Sequence, residues 1–146
     1  MDKQYNPIEV EEKWVKIWSK RKVSNKESEE SFSQVIPPPN VTGTLHMGHS
    51  FQYSIMDFYT RFNHMQGKDS YWQVGSDHAG IATQMVVENN LSKNNITRKD
   101  LGREKFIKEV WSWKDYSEKN ITAQIKRLGC TVDWDKYRFT LDDGCN

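Results

Sequence analysis

The sequence has 146 residues, of which 36% are hydrophobic and 28% charged, and its formal net charge is +1. This balance is typical of one globular domain, and it excludes a disordered tail and a strongly basic stand-alone nucleic-acid binder. The sequence contains no apolar run of membrane-spanning length and no apolar signal core, so a cytoplasmic protein without a membrane partner is expected. Cys130 and Cys145 lack metal-ligand spacing, which disfavours a zinc site, and the expected cytoplasmic location disfavours a disulfide.

The first predicted element is an amphipathic helix from Asn6 to Arg21, where Pro7 suits the first helical position. Its apolar residues recur at intervals of three and four, which predicts a helix that packs across the main domain. These residues are Val10, Trp14, Ile17 and Trp18. The segment that follows, Ser24 to Ser31, is polar and has no periodicity, so it is predicted to be a surface loop.

A short β-branched strand, Phe32 to Ile36, is predicted next, and the prolines at positions 37–39 must end it. Proline fixes φ and has no amide hydrogen to donate, so the loop after the strand is stiff. A Thr-Gly-Thr turn then leads into a helix that is predicted to open at His49 and to end near Gly67. The apolar residues along one side of that helix are Phe51, Ile55, Phe58, Tyr59 and Phe62.

The start of this helix carries two histidines, His46 and His49, which are three residues apart and are expected to share one face. The unpaired N–H groups of the first helical turn lie beside them and favour an anion. Gly43 and Gly48 have no Cβ, so a phosphate or a planar base can approach the backbone closely. The pattern fits a site for a polyphosphate, but a metal half-site or two solvated helix residues remain alternatives.

A second strand is predicted from Ser70 to Val74, which makes a strand-helix-strand unit with parallel strands. Ligands bind such sheets at the carboxyl ends of the strands, where Asp77 and His78 follow the second strand. A carboxylate at this place suits a cationic group, such as the amino group of a free amino acid. The alternative is that Asp77 caps a helix predicted from Gly80 to Asn90.

The last helical region begins with a capping-box pattern from Thr97 to Asp100, and it continues as a long periodic helix from Arg103 to Leu128. The helix is predicted to end at Gly129, and the chain then returns toward the core, where Cys130 is expected to be a small core residue. The residues predicted for the buried side are Phe106, Ile107, Val110, Trp113, Ile121, Ile125 and Leu128.

Two stretches together resemble a known family. Residues 37–49 read Pro-Pro-Pro-Asn-Val-Thr-Gly-Thr-Leu-His-Met-Gly-His, and residues 75–84 read Gly-Ser-Asp-His-Ala-Gly-Ile-Ala-Thr-Gln. They resemble the class I aminoacyl-tRNA synthetases, in the form found in the valine-specific branch, and the resemblance extends over nearly the whole chain. It implies an α/β fold, the first half of a Rossmann-type parallel-sheet nucleotide-binding domain over residues 32–146, preceded by an N-terminal helical extension and loop over residues 1–31.

The resemblance also implies a reaction, in which valine is activated with ATP and then attached to tRNA(Val). ATP is expected as its Mg²⁺ complex, without a bound cofactor or a protein metal site. His46 and His49 are implied to stabilise charge on the phosphate during catalysis. The other implied site residues are Thr44 and Gly48, with both histidines, for ATP, and Pro38, Asn40 and Asp77 for the amino acid, where Asp77 holds the α-amino group.

Val74, Ser76 and Ser50 depart from the usual family pattern without removing a polar group that the chemistry needs. The sequence lacks the family's Lys-Met-Ser-Lys-Ser loop, its editing domain and its anticodon-reading domain, and residues 144–146 do not match the family. An N-terminal part of a longer enzyme, which does not charge tRNA unaided, is therefore expected. The alternatives are an inactive ATP-binding fragment and a small nucleotidyltransferase that uses His-x-Gly-His.

Overall fold

The computed structural model describes residues 4–18, 20 and 28–145. Arg21 and the first four residues of the predicted loop, 24–27, lie outside the described part. The division between a helical extension and a nucleotide-binding part at residues 31 and 32 stays a prediction. By its internal contacts the chain forms two compact units: the first contains Met1–Pro37, His46–Val74 and Ala123–Tyr137, and the second contains Pro38–Leu45, Gly75–Thr122 and Arg138–Asn146.

The first unit is built on a parallel pair of strands, β1 (Ser31–Val35) and β2 (Asp69–Gln73). Helix α2 (Met47–Met65) connects them and packs against both, as a crossover between parallel strands requires. The predicted strand-helix-strand unit is therefore confirmed, although each strand begins one residue earlier than predicted. The helix also begins before the predicted His49.

The face of α2 that packs on the sheet is not its predicted apolar side. The residues buried on this helix are Tyr53, Thr60 and Asn63, and the side chain of Gln34 on β1 donates to Thr60 Oγ1. The residues of the apolar side are instead 42% to 70% exposed. Apolar periodicity predicts that a segment is helical, but it does not show which face of the helix packs against another element. The exposed residues are Phe51, Ile55, Phe58, Tyr59 and Phe62.

Helix α1 (Pro7–Trp18) confirms the predicted N-terminal helix, but none of its residues is fully buried. Its last residue, Trp18, lies over the guanidinium of Arg61 at 4.7 Å. That guanidinium also donates to the carbonyl of Gly129 at 2.7 Å, so one cation joins α2, α1 and the segment that follows the last helix.

Burial raises the pKa of the Cys130 thiol in this segment to about 12, so Cys130 is an inert thiol at neutral pH.

The second unit contains another parallel pair, β3 (Gly75–Ser76) and β4 (Arg138–Phe139). Helix α3 (Ile81–Ser92) follows β3 and confirms the predicted helix, with shifts of one and two residues at its ends. Helix α4 (Arg98–Arg127) is interrupted by a non-helical Gly102 with φ 72°, so the long regular part starts at the predicted Arg103.

The predicted capping box before α4 is confirmed. The backbone N–H of Thr97 donates to Asp100 Oδ2 at 2.9 Å, and the N–H of Asp100 donates to Thr97 Oγ1 at 3.3 Å. Asp replaces the usual Glu of this motif without loss of either bond. Hydrogen bonds from Thr97 lower the pKa of the Asp100 carboxyl, in keeping with its role as an acceptor.

The buried side of α4 is partly as predicted, because Phe106, Ile121 and Ile125 are buried. The prediction was wrong for Ile107 and Leu128, which are each 41% exposed. Ile107 lies about 100° around the helix from the buried Phe106, and Leu128 lies just beyond the last helical residue.

No helix in the described part of the chain is both long and apolar enough to cross a bilayer.

Candidate functional site

In the first unit, His46 and His49 cap the start of α2 by exchanging hydrogen bonds with the backbone. His46 is the N-cap residue in an extended conformation, and its Nδ1 accepts the N–H of Gly48 at 3.1 Å. The N–H of His46 in turn donates to His49 Nδ1 at 3.3 Å. This is the reciprocal geometry of a capping box in which both side chains are imidazoles. The two ring centroids lie 4.0 Å apart.

The capping bonds determine which nitrogen of each ring carries hydrogen. Both Nδ1 atoms accept a backbone N–H, so in a neutral ring the hydrogen must lie on Nε2. Neither Nε2 of His46 nor that of His49 has a hydrogen-bond partner in the described part of the chain. The start of α2 therefore has two Nε2–H donors that the cap does not use.

Protonation of His49 is disfavoured in this arrangement. Burial lowers the pKa of His49 below its ordinary value of 6.5, and a positive charge on the neighbouring His46 lowers it further. A proton on Nδ1 would also displace the N–H of His46 that Nδ1 accepts. His49 is therefore a neutral N–H donor at physiological pH.

Gly48 makes room for the cap. A Cβ at this position would lie 2.9 Å from Cε1 of His46, closer than real Cβ contacts, and the ring would have to move. The absent side chain therefore serves a second purpose beside the predicted close approach of ATP. Gly43 has open space around its Cα, so at that position the structure imposes no comparable constraint.

In the second unit, the loop after β3 lies beside the loop that follows β1. Asn40 and Asp77 form a parallel bridge, in which the N–H of Val41 donates to the carbonyl of Asp77 and the N–H of Asp77 donates to the carbonyl of Pro39, both at 2.9 Å. This bridge makes the two loops direct neighbours. Pro38, Asn40 and Thr44 all lie on the exposed part of the first loop.

Asp77 does not cap α3. The N-cap residue of that helix is Gly80, and no side chain accepts a hydrogen bond there, so the capping alternative was wrong. Oδ1 of Asp77 instead accepts the N–H of Ala79 at 3.1 Å and lies 3.2 Å from Nδ1 of His78. Oδ2 has no partner among the described residues, and the side chain is 36% exposed, so one carboxylate oxygen is open to a ligand.

Thr140 holds both side chains of this loop, and sequence reasoning missed it. Its hydroxyl donates to Asp77 Oδ1 at 3.1 Å, accepts the N–H of His78 at 2.9 Å and lies 2.6 Å from His78 Nδ1. The backbone of Thr140 is fixed by its N–H, which donates to the carbonyl of Ser76 at 3.2 Å. Nothing in the local sequence around Thr140 signals this role, because the residues it holds are about sixty positions away.

Helix α4 anchors the loop that contains the predicted amino-acid residues. Nε1 of Trp113 donates to the carbonyl of Val41 at 2.9 Å, and the hydroxyl of Ser117 donates to the carbonyl of Gly43 at 3.1 Å. Both anchors are polar atoms on the packing side of the helix, and Ser117 is buried. Ser117 was also missed, since a serine at helical spacing carries no apolar signal.

The structure thus places the predicted residues in two sets, which are described separately. His46, Gly48 and His49 lie together in the first unit, and Pro38, Asn40, Thr44 and Asp77 lie in the second. Within the described ranges, no three His, Cys, Asp or Glu side chains come close enough to hold a metal ion.

The fold has a clear counterpart among solved structures. The LeuRS of Agrobacterium radiobacter K84, in a ternary complex with tRNA and LeuAMS, matches with a TM-score of 0.74 at 17% identity, over 97% of this chain and 17% of that one. Parallel strands joined by helices and this likeness confirm the predicted fold class, the first half of a Rossmann-type α/β domain.

Sequence comparisons then identify the family. Residues 9–146 match the family described as tRNA synthetases class I (I, L, M and V). The chain belongs to this family.

Two curated relatives are both named valine–tRNA ligase. The protein of Acinetobacter baylyi is 56% identical over 141 residues, which is 96% of this chain and 14% of the relative. The protein of Francisella tularensis is 52% identical over 147 residues, 99% of this chain and 16% of the relative. The chain therefore spans between about one seventh and one sixth of the length of these relatives.

Proposed function

We propose that this chain contributes the residues that bind ATP and valine in an enzyme that activates valine and attaches it to tRNA(Val). The observation that carries the proposal is the pair of imidazoles that cap α2 through Nδ1 and leave both Nε2–H groups as donors. The relatives named valine–tRNA ligase support the choice of valine. We place the reaction in the cytoplasm.

On the ATP side, His46 and His49 donate their Nε2–H groups to oxygens of the α-phosphate. Charge develops on these oxygens when the phosphorus is attacked, and donors that are already in place lower the barrier without reorganisation. Thr44, in the exposed turn before α2, makes a further contact with ATP. Gly48 has no side chain, so ATP can approach the backbone at this position. Mg²⁺ enters with ATP as part of the substrate complex.

On the amino-acid side, Asp77 holds the α-ammonium group of valine through Oδ2. Its other oxygen is already occupied by Ala79 and Thr140, which hold the carboxylate in one orientation. Asn40 is bridged to Asp77, and Asn40 and Pro38 of the same loop line the amino-acid side. A charged pair of this kind selects a free amino acid over one whose amino group is blocked.

The reaction then follows in two steps. A carboxylate oxygen of valine attacks the α-phosphorus, the bond to the leaving pyrophosphate breaks, and valyl adenylate forms. A hydroxyl of the terminal ribose of tRNA attacks the carbonyl carbon of the adenylate, loses its proton, and displaces AMP. The residues assigned above act in the first step.

Calorimetric titration of the purified chain tests these roles. The probes are sulfamoyl analogues of valyl, isoleucyl and threonyl adenylate, which cannot react. We expect the valyl analogue to bind best, and Asp77→Asn to weaken it by about thirtyfold, because truncating one partner of a charge pair that the bound ligand covers costs about 2 kcal/mol. Asp143→Asn, an exposed acid of the same unit, is the matched control. Equal binding of all three analogues, or equal effects of the two variants, would contradict the proposal.

A further inference from the structure

The second unit contains a cavity of about 300 Å³ that the proposed function does not use. Its walls are mostly apolar and aromatic, formed on one side by α4 and on the other by β4 and the start of α3. The main wall residues are Phe106, Val110, Trp111 and Phe139. Sites for small molecules usually begin at about this volume and have this mixture of an apolar wall with a few polar groups.

Three cations line the cavity, and no Asp or Glu is among the described residues that line it. Lys114 is 16% exposed, pairs with Glu118 at 2.7 Å and lies over the ring of Phe139 at 4.5 Å. Arg98 pairs with Glu88 at 3.4 Å. Lys114 also lies 3.6 Å from Asp115, so carboxylates outside the cavity wall already pair with two of the three cations.

Arg103 differs from the other two cations. Its side chain lines the cavity, is exposed, and forms no ion pair or hydrogen bond with a described residue. A guanidinium presents a planar fork of donors that matches a carboxylate, and an unpaired one can bind an anion without first breaking an internal pair.

We propose that this cavity binds a small aromatic carboxylate. The ring would lie among Phe106, Trp111 and Phe139, and the carboxylate would pair with Arg103. Apolar walls alone would accept a neutral ring equally well, so the unpaired Arg103 is what selects the anion. This proposal does not depend on the proposed function of His46, His49 and Asp77.

The experiment compares naphthoate with its neutral amide by NMR titration of the whole chain. The imidazole of His78 serves as the reporter, because it lines the cavity. We expect saturable shifts of the His78 resonances with naphthoate and about tenfold weaker binding of the amide, since a hydrogen bond to a charged group contributes about 1.5 kcal/mol or more.

Three variants locate the site. Arg103→Gln should abolish the preference for the carboxylate, whereas Lys108→Gln, which removes an exposed charge on the same helix outside the cavity, should preserve it. Val110→Phe fills the cavity and should weaken both compounds; if it does not fold, the Arg103 and Lys108 pair still decides. Absence of saturable binding, equal affinity for acid and amide, or equal effects of Arg103→Gln and Lys108→Gln would overturn the proposal.

Discussion

The histidine pair and the Asp77 loop both carry candidate site residues, but different parts of the chain hold them in place. His46 and His49 are held by hydrogen bonds to backbone atoms two and three residues away. Asp77 and His78 are held by Thr140, 63 and 62 residues away. One set therefore requires only that a helix starts, and the other requires that distant strands pair.

This difference predicts which changes will disturb one set and leave the other intact. A variant that prevents β3 from pairing with β4 should release Asp77 and His78 while the cap of α2 persists. A variant that removes the cap of α2 should disturb His46 and His49 while Asp77 and His78 keep their positions. The side-chain resonances of the histidines report on each set separately, since His46 and His49 belong to one and His78 to the other.

Gly75→Ala should have the largest effect. A Cβ at Gly75 would lie 2.4 Å from the carbonyl oxygen of Arg138, and the obstacle is backbone that pairs with Gly75 in the sheet. We expect the free energy of unfolding to fall by about 3 kcal/mol, because overpacking of this kind forces the backbone to shift. Urea unfolding measures this loss.

Gly43→Ala is the control for that change, since nothing lies within 4 Å of the Cβ it would add. It should change the free energy of unfolding by less than about 0.5 kcal/mol, as is usual for surface positions. Similar losses for both glycines would show that β3 and β4 do not approach as closely as described.

Thr140→Val should have the next largest effect. It keeps the shape of the side chain but removes the hydroxyl that contacts Asp77 Oδ1, the N–H of His78 and His78 Nδ1. We expect a loss of about 2 kcal/mol in unfolding free energy, because partly buried polar atoms lose their partner. His78 resonances should shift while those of His46 and His49 stay, and Thr140→Ser should restore the wild-type spectrum. Shifts confined to His46 and His49 would refute the long-range role of Thr140.

His46→Ala tests the local set and should cost about 1 kcal/mol, the usual contribution of an N-cap side chain. His46→Asn offers an oxygen in the same place and should recover most of that stability. It removes the imidazole, however, so it should not recover binding of the valyl adenylate analogue. Recovery of both properties would mean that His46 acts only as a cap.

The smallest effect concerns pH. Since the folded pKa of His49 lies below its ordinary value of 6.5, the unfolded chain takes up a proton that the folded chain resists. The stability contributed by neutral His49 is therefore present above pH 6.5 and is lost as the pH falls below that value. An NMR titration should give a midpoint below 6.5 for His49, and His49→Gln should remove this part of the pH dependence. A midpoint at or above 6.5 would contradict the burial of this ring.

Several elements could be predicted because their signals are local. The capping box at Thr97 and Asp100 depends on residues three apart, and the two strands around α2 are marked by a proline stop and a β-branched run. The histidine motif was also visible, although its helix starts earlier than expected. In that motif the N-cap is His46 itself, since an imidazole Nδ1 can accept a backbone N–H as a hydroxyl does.

Other features were not predictable from neighbours along the chain. The apolar residues of α2 have clear helical spacing, yet the face that packs is the one with Tyr53, Thr60 and Asn63. The spacing of apolar residues distinguishes two faces of a helix, but it does not show which element packs against each face. The cavity in the second unit likewise depends on where α3, α4 and β4 come together, which no single segment encodes.

By itself, then, the sequence determined the order of the four helices, the two strands on either side of α2 with their parallel pairing, and the identity of the candidate histidines and carboxylate. These follow from backbone stereochemistry and from contacts within one helical turn. Only the tertiary structure decided that Thr140 holds Asp77 and that Trp113 and Ser117 anchor the loop that follows β1. The same is true of the cavity that Arg103 lines. Such contacts join residues far apart in the chain, and their energy is realised only when separate elements pack together.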